Sequence, residues 1–225
     1  MMDYKIGSHD TMTYLPVKQW YLKPFHFTAR CQSKSFDKQI EAGAKLIDIR
    51  VWFDNQGTPW FAHGPMRFKG LHPTDVFDWI ADYAIEHKLT NSKNKIRCRV
   101  ILEMNHKLKN QVFQEEKFVE FCKESERMYN KFIYFFGGQR KYDWKKIYDF
   151  GTKEADLDDK YSSTTSMFHP TGCNWLDILL AKVDDLWPWL YARLYNTKNL
   201  EEGTEKDFLF IDFIGERWTP IELKK

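Results

Sequence analysis

The sequence predicts an α/β fold, either a β/α barrel or an open doubly wound sheet. Short β-branched and aromatic runs alternate with segments of helical periodicity. Several of those runs are apolar on both faces, as strands buried in a parallel sheet are. No repeat, low-complexity tract or long Gly/Ser/Pro linker interrupts the 225 residues, so 1–225 reads as a single domain.

Strands are expected at 4–8, 46–53, 59–62, 97–104, 132–136 and 208–214, with a weaker one at 162–168. Between them, Ser35 can cap a short helix whose buried side carries Phe36 and Ile40 and whose end is marked by Gly43. A second helix, entered through Pro73-Thr74-Asp75, is marked by Val76, Phe77, Ile80, Ala84 and Ile85. A third covers 112–122, and a fourth covers 175–187 and bends or ends at Pro188. Polar residues collect at the strands' carboxyl ends: His9 and Asp10, Asp48 and Arg50, His63, Glu103 and Asn105, and Asp212. In a barrel this is the end where the βα loops converge and carry chemistry.

Composition narrows the function classes. The chain has 34 basic against 32 acidic residues, a net charge of +2, which excludes a polyanion-coating protein and leaves no reason to expect a nucleic-acid partner. With 9 Trp, 11 Tyr and 18 Phe it has ample material for a full core. The amino terminus shows no apolar signal region, and the stretch 175–195 is broken by Asp177, Lys182, Asp184, Asp185 and Arg193, so no bilayer span is expected and a cytoplasmic location is the default. Cys31, Cys98, Cys122 and Cys173 are widely spaced without CxxC, which points to dispersed thiols and leaves one remote pair open. The aromatics Trp175, Trp187, Trp189, Tyr191 and Tyr195 have core spacing, although an exposed set could rest on lipid.

Three segments carry candidate chemistry. Gly7-Ser8-His9-Asp10 places a histidine beside an aspartate after a strand. In Leu46-Ile47-Asp48-Ile49-Arg50-Val51 the charges Asp48 and Arg50 share one strand face, which is costly unless they are paired with each other or presented to a ligand. In Trp60-Phe61-Ala62-His63-Gly64 a histidine closes an apolar strand, and the glycine admits close approach.

Together with Gln39-Ile40-Glu41-Ala42-Gly43 and in the same order, these segments resemble the X-domain of phosphatidylinositol-specific phospholipases C over roughly residues 4–106. The resemblance implies a distorted TIM-like (β/α) barrel. It also implies roles. His9 is the general base that takes a proton from a hydroxyl beside the phosphodiester, and His63 is the general acid that protonates the leaving alkoxide. Asp10 pairs with His63 and keeps it protonated, and Arg50 stabilises charge at phosphorus. Asp212, in the last strand, is the candidate to orient the base. Asn105 and Arg140 are candidate substrate contacts, with Tyr142 near the latter.

Arg50 stands where calcium-dependent relatives have a carboxylate, which implies chemistry without a cofactor, while Asp48 and Glu103 keep a divalent cation open. The expected partner is a phosphoinositide-like or other phosphodiester, with peripheral membrane contact and no nucleic acid. Two alternatives remain: a metal-dependent glycerophosphodiesterase-like hydrolase using Asp48 and Glu103, and a catalytically silent headgroup-binding barrel.

Overall fold

The computed structural model describes residues 5–90, 94–104, 110–151, 161–163, 175, 179, 182, 186–194 and 208–216. Eight strands are seen: β1 (Lys5–Ser8), β2 (Leu46–Phe53), β3 (Pro59–His63), β4 (Met66–Arg67), β5 (Ile96–Leu102), β6 (Ile133–Arg140), β7 (Tyr161–Ser163) and β8 (Phe208–Ile211). Six of them run parallel in the order β7-β8-β1-β2-β5-β6. The β3–β4 hairpin branches antiparallel from the carboxyl half of β2. This is the distorted barrel expected, and among the described residues it stays open between β6 and β7.

Among the described residues, helices α1 (Phe36–Glu41), α2 (Pro73–Glu86) and α3 (Gln111–Tyr129) cover the sheet. Ser35 stands at the N-cap of α1, but its side chain makes no capping hydrogen bond, so the helix start rests on packing of Phe36 and Ile40. Helix α2 opens as Pro73-Thr74-Asp75 predicts, with the Asp75 carboxylate accepting the His72 backbone N–H at 2.7 Å. Helix α3 runs to Tyr129, well past Cys122, because Phe118, Cys122, Ser125 and Tyr129 continue one buried stripe. Strand β6 likewise continues beyond Phe136, and the β5–β6 register shifts at Val100/Ile101 as the chain passes Gly137-Gly138.

A 3-10 segment, Trp20–Thr28, was not expected, because Pro24 and its mixed aromatics give no helical stripe. Farther on, Trp175, Leu179, Lys182 and Leu186 are helical, Trp187 is not, and 188–194 is helical again, so the chain does break at Pro188. Its aromatics divide: Tyr191 is buried, but Trp175 and Trp187 are exposed, which corrects the core reading for those two. Tyr195 lies outside the described residues. No described helix is long and apolar enough to cross a membrane.

The strand alternation divides two interiors. Ile47, Ile49, Val51 and Phe53 of β2, Cys98, Val100 and Leu102 of β5, and Ile133 and Phe135 of β6 pack outward against α2 and α3. On the opposite face Leu46, Tyr134, Phe136 and Phe210 form a small apolar floor inside the barrel. Gly7 lets β1 pass over that floor, since a Cβ there would sit 3.0 Å from the Phe210 ring and 3.2 Å from Leu46. Above the floor the same inward positions become charged.

Candidate active site

Two residues up from Leu46 the inward face of β2 presents Asp48, then Arg50, while β5 presents Arg99, and Glu103 follows it. All four are buried. Arg99 grips Asp48 with two bonds, Nε to Oδ1 at 2.9 Å and Nη2 to Oδ2 at 2.8 Å. Arg50 donates to the same Asp48 Oδ2 from Nε and Nη2, both at 3.1 Å. Burial alone would raise the Asp48 carboxyl, but Arg99 and Arg50 outweigh it and hold Asp48 well below the usual carboxylate range.

Arg50 in turn reaches three further groups above it. Its Nε lies 2.6 Å from Asp10 Oδ1, its Nη2 2.7 Å from His9 Nε2 and its Nη1 3.7 Å from Glu103 Oε2. Glu103 also accepts the Gly64 backbone N–H at 2.8 Å and the Lys141 ammonium at 3.0 Å. Burial raises the Glu103 carboxyl less than Lys141, Arg50 and their neighbours lower it, so Glu103 stays ionised.

His9 follows β1 and points into this group. Its Nδ1 meets Asp212 Oδ1 at 2.9 Å, just beyond the paired strand β8. With Arg50 donating to Nε2, the ring is the Nδ1–H tautomer, and the Nε2 lone pair faces the interior. Burial first, and the Arg50 charge second, push His9 well below the usual histidine value, so it is neutral.

The backbone around it is tied down. Gln32 donates to the carbonyls of His9 and Ile211, each at 2.9 Å, and accepts the Ile214 N–H at 3.0 Å. Gln39 donates to Thr11 O at 3.0 Å and accepts the Ser8 hydroxyl. Asp10 adopts φ +43°, a conformation that side chains other than Asn, Asp and Gly rarely take. That turn aims its carboxylate inward.

His63 ends β3 across the site. Its Nδ1–H donates to Ala29 O at 3.1 Å, and Nε2 lies 3.3 Å from Asp10 Oδ2. The same oxygen is 3.5 Å from His9 Nε2, so both imidazoles converge on one carboxylate. Burial lowers His63 more than Asp10 raises it, so the pairing with Asp10 does not by itself hold His63 charged. Burial pushes Asp10 up from the ordinary carboxylate value, against the pull of Arg50 and His63.

Residues 6–131 match the model of the phosphatidylinositol-specific phospholipase C X domain. The chain belongs to that family. No curated protein matches the chain. Among solved structures, phosphatidylinositol-specific phospholipase C from Listeria monocytogenes aligns at 19% identity and a TM-score of 0.55 over 96% of this chain and 89% of that one. The Staphylococcus aureus enzyme aligns at 17% identity and a TM-score of 0.59, over 95% and 87%. A pentafluoro-Phe form of it gives 16% and 0.60 over the same shares. At these identities the likeness establishes the fold.

Five of the residues singled out from the sequence, His9, Asp10, Arg50, His63 and Asp212, meet in one cluster, and Asp48 and Glu103 support it. Arg140 does not join them. It turns outward from β6 to pair with Glu115 on α3 and with Asp143, while its neighbour Lys141 faces the site. Tyr142 is exposed. Asn105 lies outside the described residues. Sequence reasoning missed Arg99, Lys141 and Cys31. Arg99 was open to detection, because Arg97-Cys98-Arg99-Val100 repeats the charged-apolar alternation of Asp48-Ile49-Arg50-Val51 on the neighbouring strand.

Proposed function

We propose that residues 1–225 form one catalytic unit, a phosphodiester-cleaving lyase acting on a phosphoinositide-like lipid without a metal cofactor. The single observation that carries this reading is the convergence of His9 Nε2 and His63 Nε2 on Asp10 Oδ2, at 3.5 and 3.3 Å, with the Arg50 guanidinium alongside. A neutral imidazole, a second imidazole and a buried planar cation are what internal attack on phosphorus requires.

In this reading a substrate hydroxyl takes the place of Arg50 Nη2 at His9 Nε2, and the freed guanidinium donors turn onto the non-bridging phosphate oxygens. His9 takes the hydroxyl proton, the oxygen bonds to phosphorus and the bond to the leaving alkoxide breaks. His63 Nε2–H supplies the proton to that alkoxide. The phosphodiester's negative charge raises His63 and so charges the acid when substrate is present. The products are an alcohol, diacylglycerol for a phosphatidylinositol, and a cyclic phosphate on the polyol. Asp212 keeps His9 in the Nδ1–H tautomer, and Asp10 orients His63.

The carboxylates that a metal-dependent hydrolase would use are already engaged. Asp48 is held by Arg99 and Arg50, and Glu103 by Lys141, the Gly64 N–H and Arg50. A divalent ion at Asp48 and Glu103 would have to displace three cationic side chains. Diacylglycerol release from phosphatidylinositol vesicles is therefore expected not to fall when EDTA is added. A strict calcium requirement would overturn the cofactor-free reading.

Peripheral membrane contact fits the exposed aromatics of the 3-10 segment, Trp20, Tyr21, Phe25 and Phe27. Phe27 meets the exposed Trp187 ring at 6.4 Å, so two chain segments contribute to one aromatic surface. The segment ends beside Ala29, whose carbonyl holds His63, which places the surface next to the site. One structure of the similar S. aureus enzyme concerns modulation of its membrane binding.

A further inference from the structure

Cys31 enters the site with no part in the proposed reaction. Its Sγ lies 3.9 Å from Asp10 Oδ2, the oxygen that also faces His63 Nε2 at 3.3 Å. Arg50 Nε takes the other oxygen, Oδ1, at 2.6 Å. One ligand atom each from Cys31, Asp10 and His63 lie within 4.8 Å of one another, and so do those from Cys31, His9 and Asp212. The thiol thus stands between the two imidazole–carboxylate pairs.

The spacing suits a small tetrahedral ion. Zinc bonds of about 2.0–2.1 Å to nitrogen and oxygen and about 2.3 Å to sulfur imply N–O edges of roughly 3.3–3.4 Å and S–O edges of roughly 3.5–3.6 Å. The observed 3.3 Å is such an edge, and the 3.9 Å separation closes to one with a shift of a few tenths of an ångström. The charge also suits a cation. Asp10, Asp48, Glu103 and Asp212 face three cations, Arg50, Arg99 and Lys141, and a Cys31 thiolate would add a further negative charge. Sulfur and imidazole select zinc over calcium or magnesium.

We infer that Cys31, Asp10 and His63 form an inhibitory zinc site, in which a thiolate, a carboxylate and an imidazole hold one Zn2+ and leave its fourth position to water or a phosphate oxygen. Binding releases the Cys31 thiol proton to solvent and changes no oxidation state. It occupies His63 Nε2, the nitrogen that would protonate the leaving group, so bound zinc and turnover exclude each other. The binding half of this inference stands alone, and the inhibition half rests on the reaction proposed above.

The test is titration of the full chain with Co2+ and with Zn2+. Co2+ is expected to give a thiolate-to-cobalt charge-transfer absorption. That band should vanish in Cys31→Ser and Cys31→Ala but persist in Cys122→Ser, whose thiol is buried elsewhere. Zn2+ should displace Co2+ and raise the thermal unfolding midpoint of the wild-type chain but not of a Cys31 variant with an unchanged circular dichroism spectrum. Zinc affinity in the Cys31 variants should drop by at least the roughly 10–100-fold that even an outer-sphere partner is worth. No saturable binding, a cobalt complex without the band, or a band retained in Cys31→Ala would each overturn the site. A Cys31-dependent complex in a chain that cleaves no phosphodiester would leave the zinc site standing and defeat the proposed reaction instead.

Discussion

The two histidines of the site are held in different ways. His9 follows a central strand, with its ring fixed by the Asp212 carboxylate just beyond the neighbouring β8 and its carbonyl by Gln32. His63 closes a strand of the branching hairpin, and a backbone carbonyl at Ala29, just past the aromatic 3-10 segment, fixes its ring. Its side chain is 20% exposed against 11% for His9. His9 is therefore part of the barrel and depends on a residue just beyond β8, outside the stretch 6–131 matched by the family model. His63 is tied to a surface segment, so events at that surface have a short path to it.

The largest effects should come from removing either ring. His9→Ala and His63→Ala are each expected to lower kcat by about 10²–10⁴-fold with the fold retained. Wild-type turnover in either variant would remove that residue from the mechanism. Arg50 links the two sides, and Arg50→Ala leaves Asp10, Asp48 and Glu103 short of a buried cation. A loss of about 3–5 kcal/mol in urea unfolding should accompany inactivity. Unchanged stability would mean that Arg99 and Lys141 balance the carboxylates alone.

The pH profile separates the two histidines more finely. Burial lowers both from the ordinary value of 6.5. His9 therefore stays neutral, and competent as a base, below that pH, while free His63 loses its proton below it too. The kcat/KM profile is expected to be a bell centred on the acid side of 6.5. Asp10→Asn removes a charge that raises His63, so the alkaline limb should move to lower pH. Asp212→Asn should lower kcat and leave that limb in place. An alkaline optimum, or identical profiles for the two variants, would break the assignment of one carboxylate to each ring. The smallest effect is expected at the surface. Trp20→Ala and Phe27→Ala should reduce turnover of vesicle lipid several-fold and spare a soluble short-chain substrate. Equal loss on both substrates would place these aromatics in catalysis rather than in lipid contact.

Most of the inner face could be read from the sequence, because strand alternation is a local rule. Once β2 is a strand, Asp48 and Arg50 must share a side, and the turn after β1 must present His9. The convergence of Asp212 with His9 rests on a contact spanning 203 positions, which no periodicity records, so only membership of the last strand suggested it. Arg140 was misleading for a related reason. The strand expected at 132–136 stops short of Gly137-Gly138, but the observed strand continues with a register shift and turns Arg140 toward Glu115 and Lys141 toward the site. Helix α3 outran its expected length because Ser125 carries on the buried stripe that an apolar count ends at Cys122. The aromatic 3-10 segment left no signal, since Trp20, Tyr21, Phe25 and Phe27 face outward.

Phosphorus NMR of the products formed from phosphatidylinositol vesicles tests the two-imidazole account most directly. Attack by a neighbouring hydroxyl predicts a resonance from a five-membered cyclic phosphodiester as the first product. A linear phosphomonoester appearing first would mean that water attacks phosphorus and would contradict it.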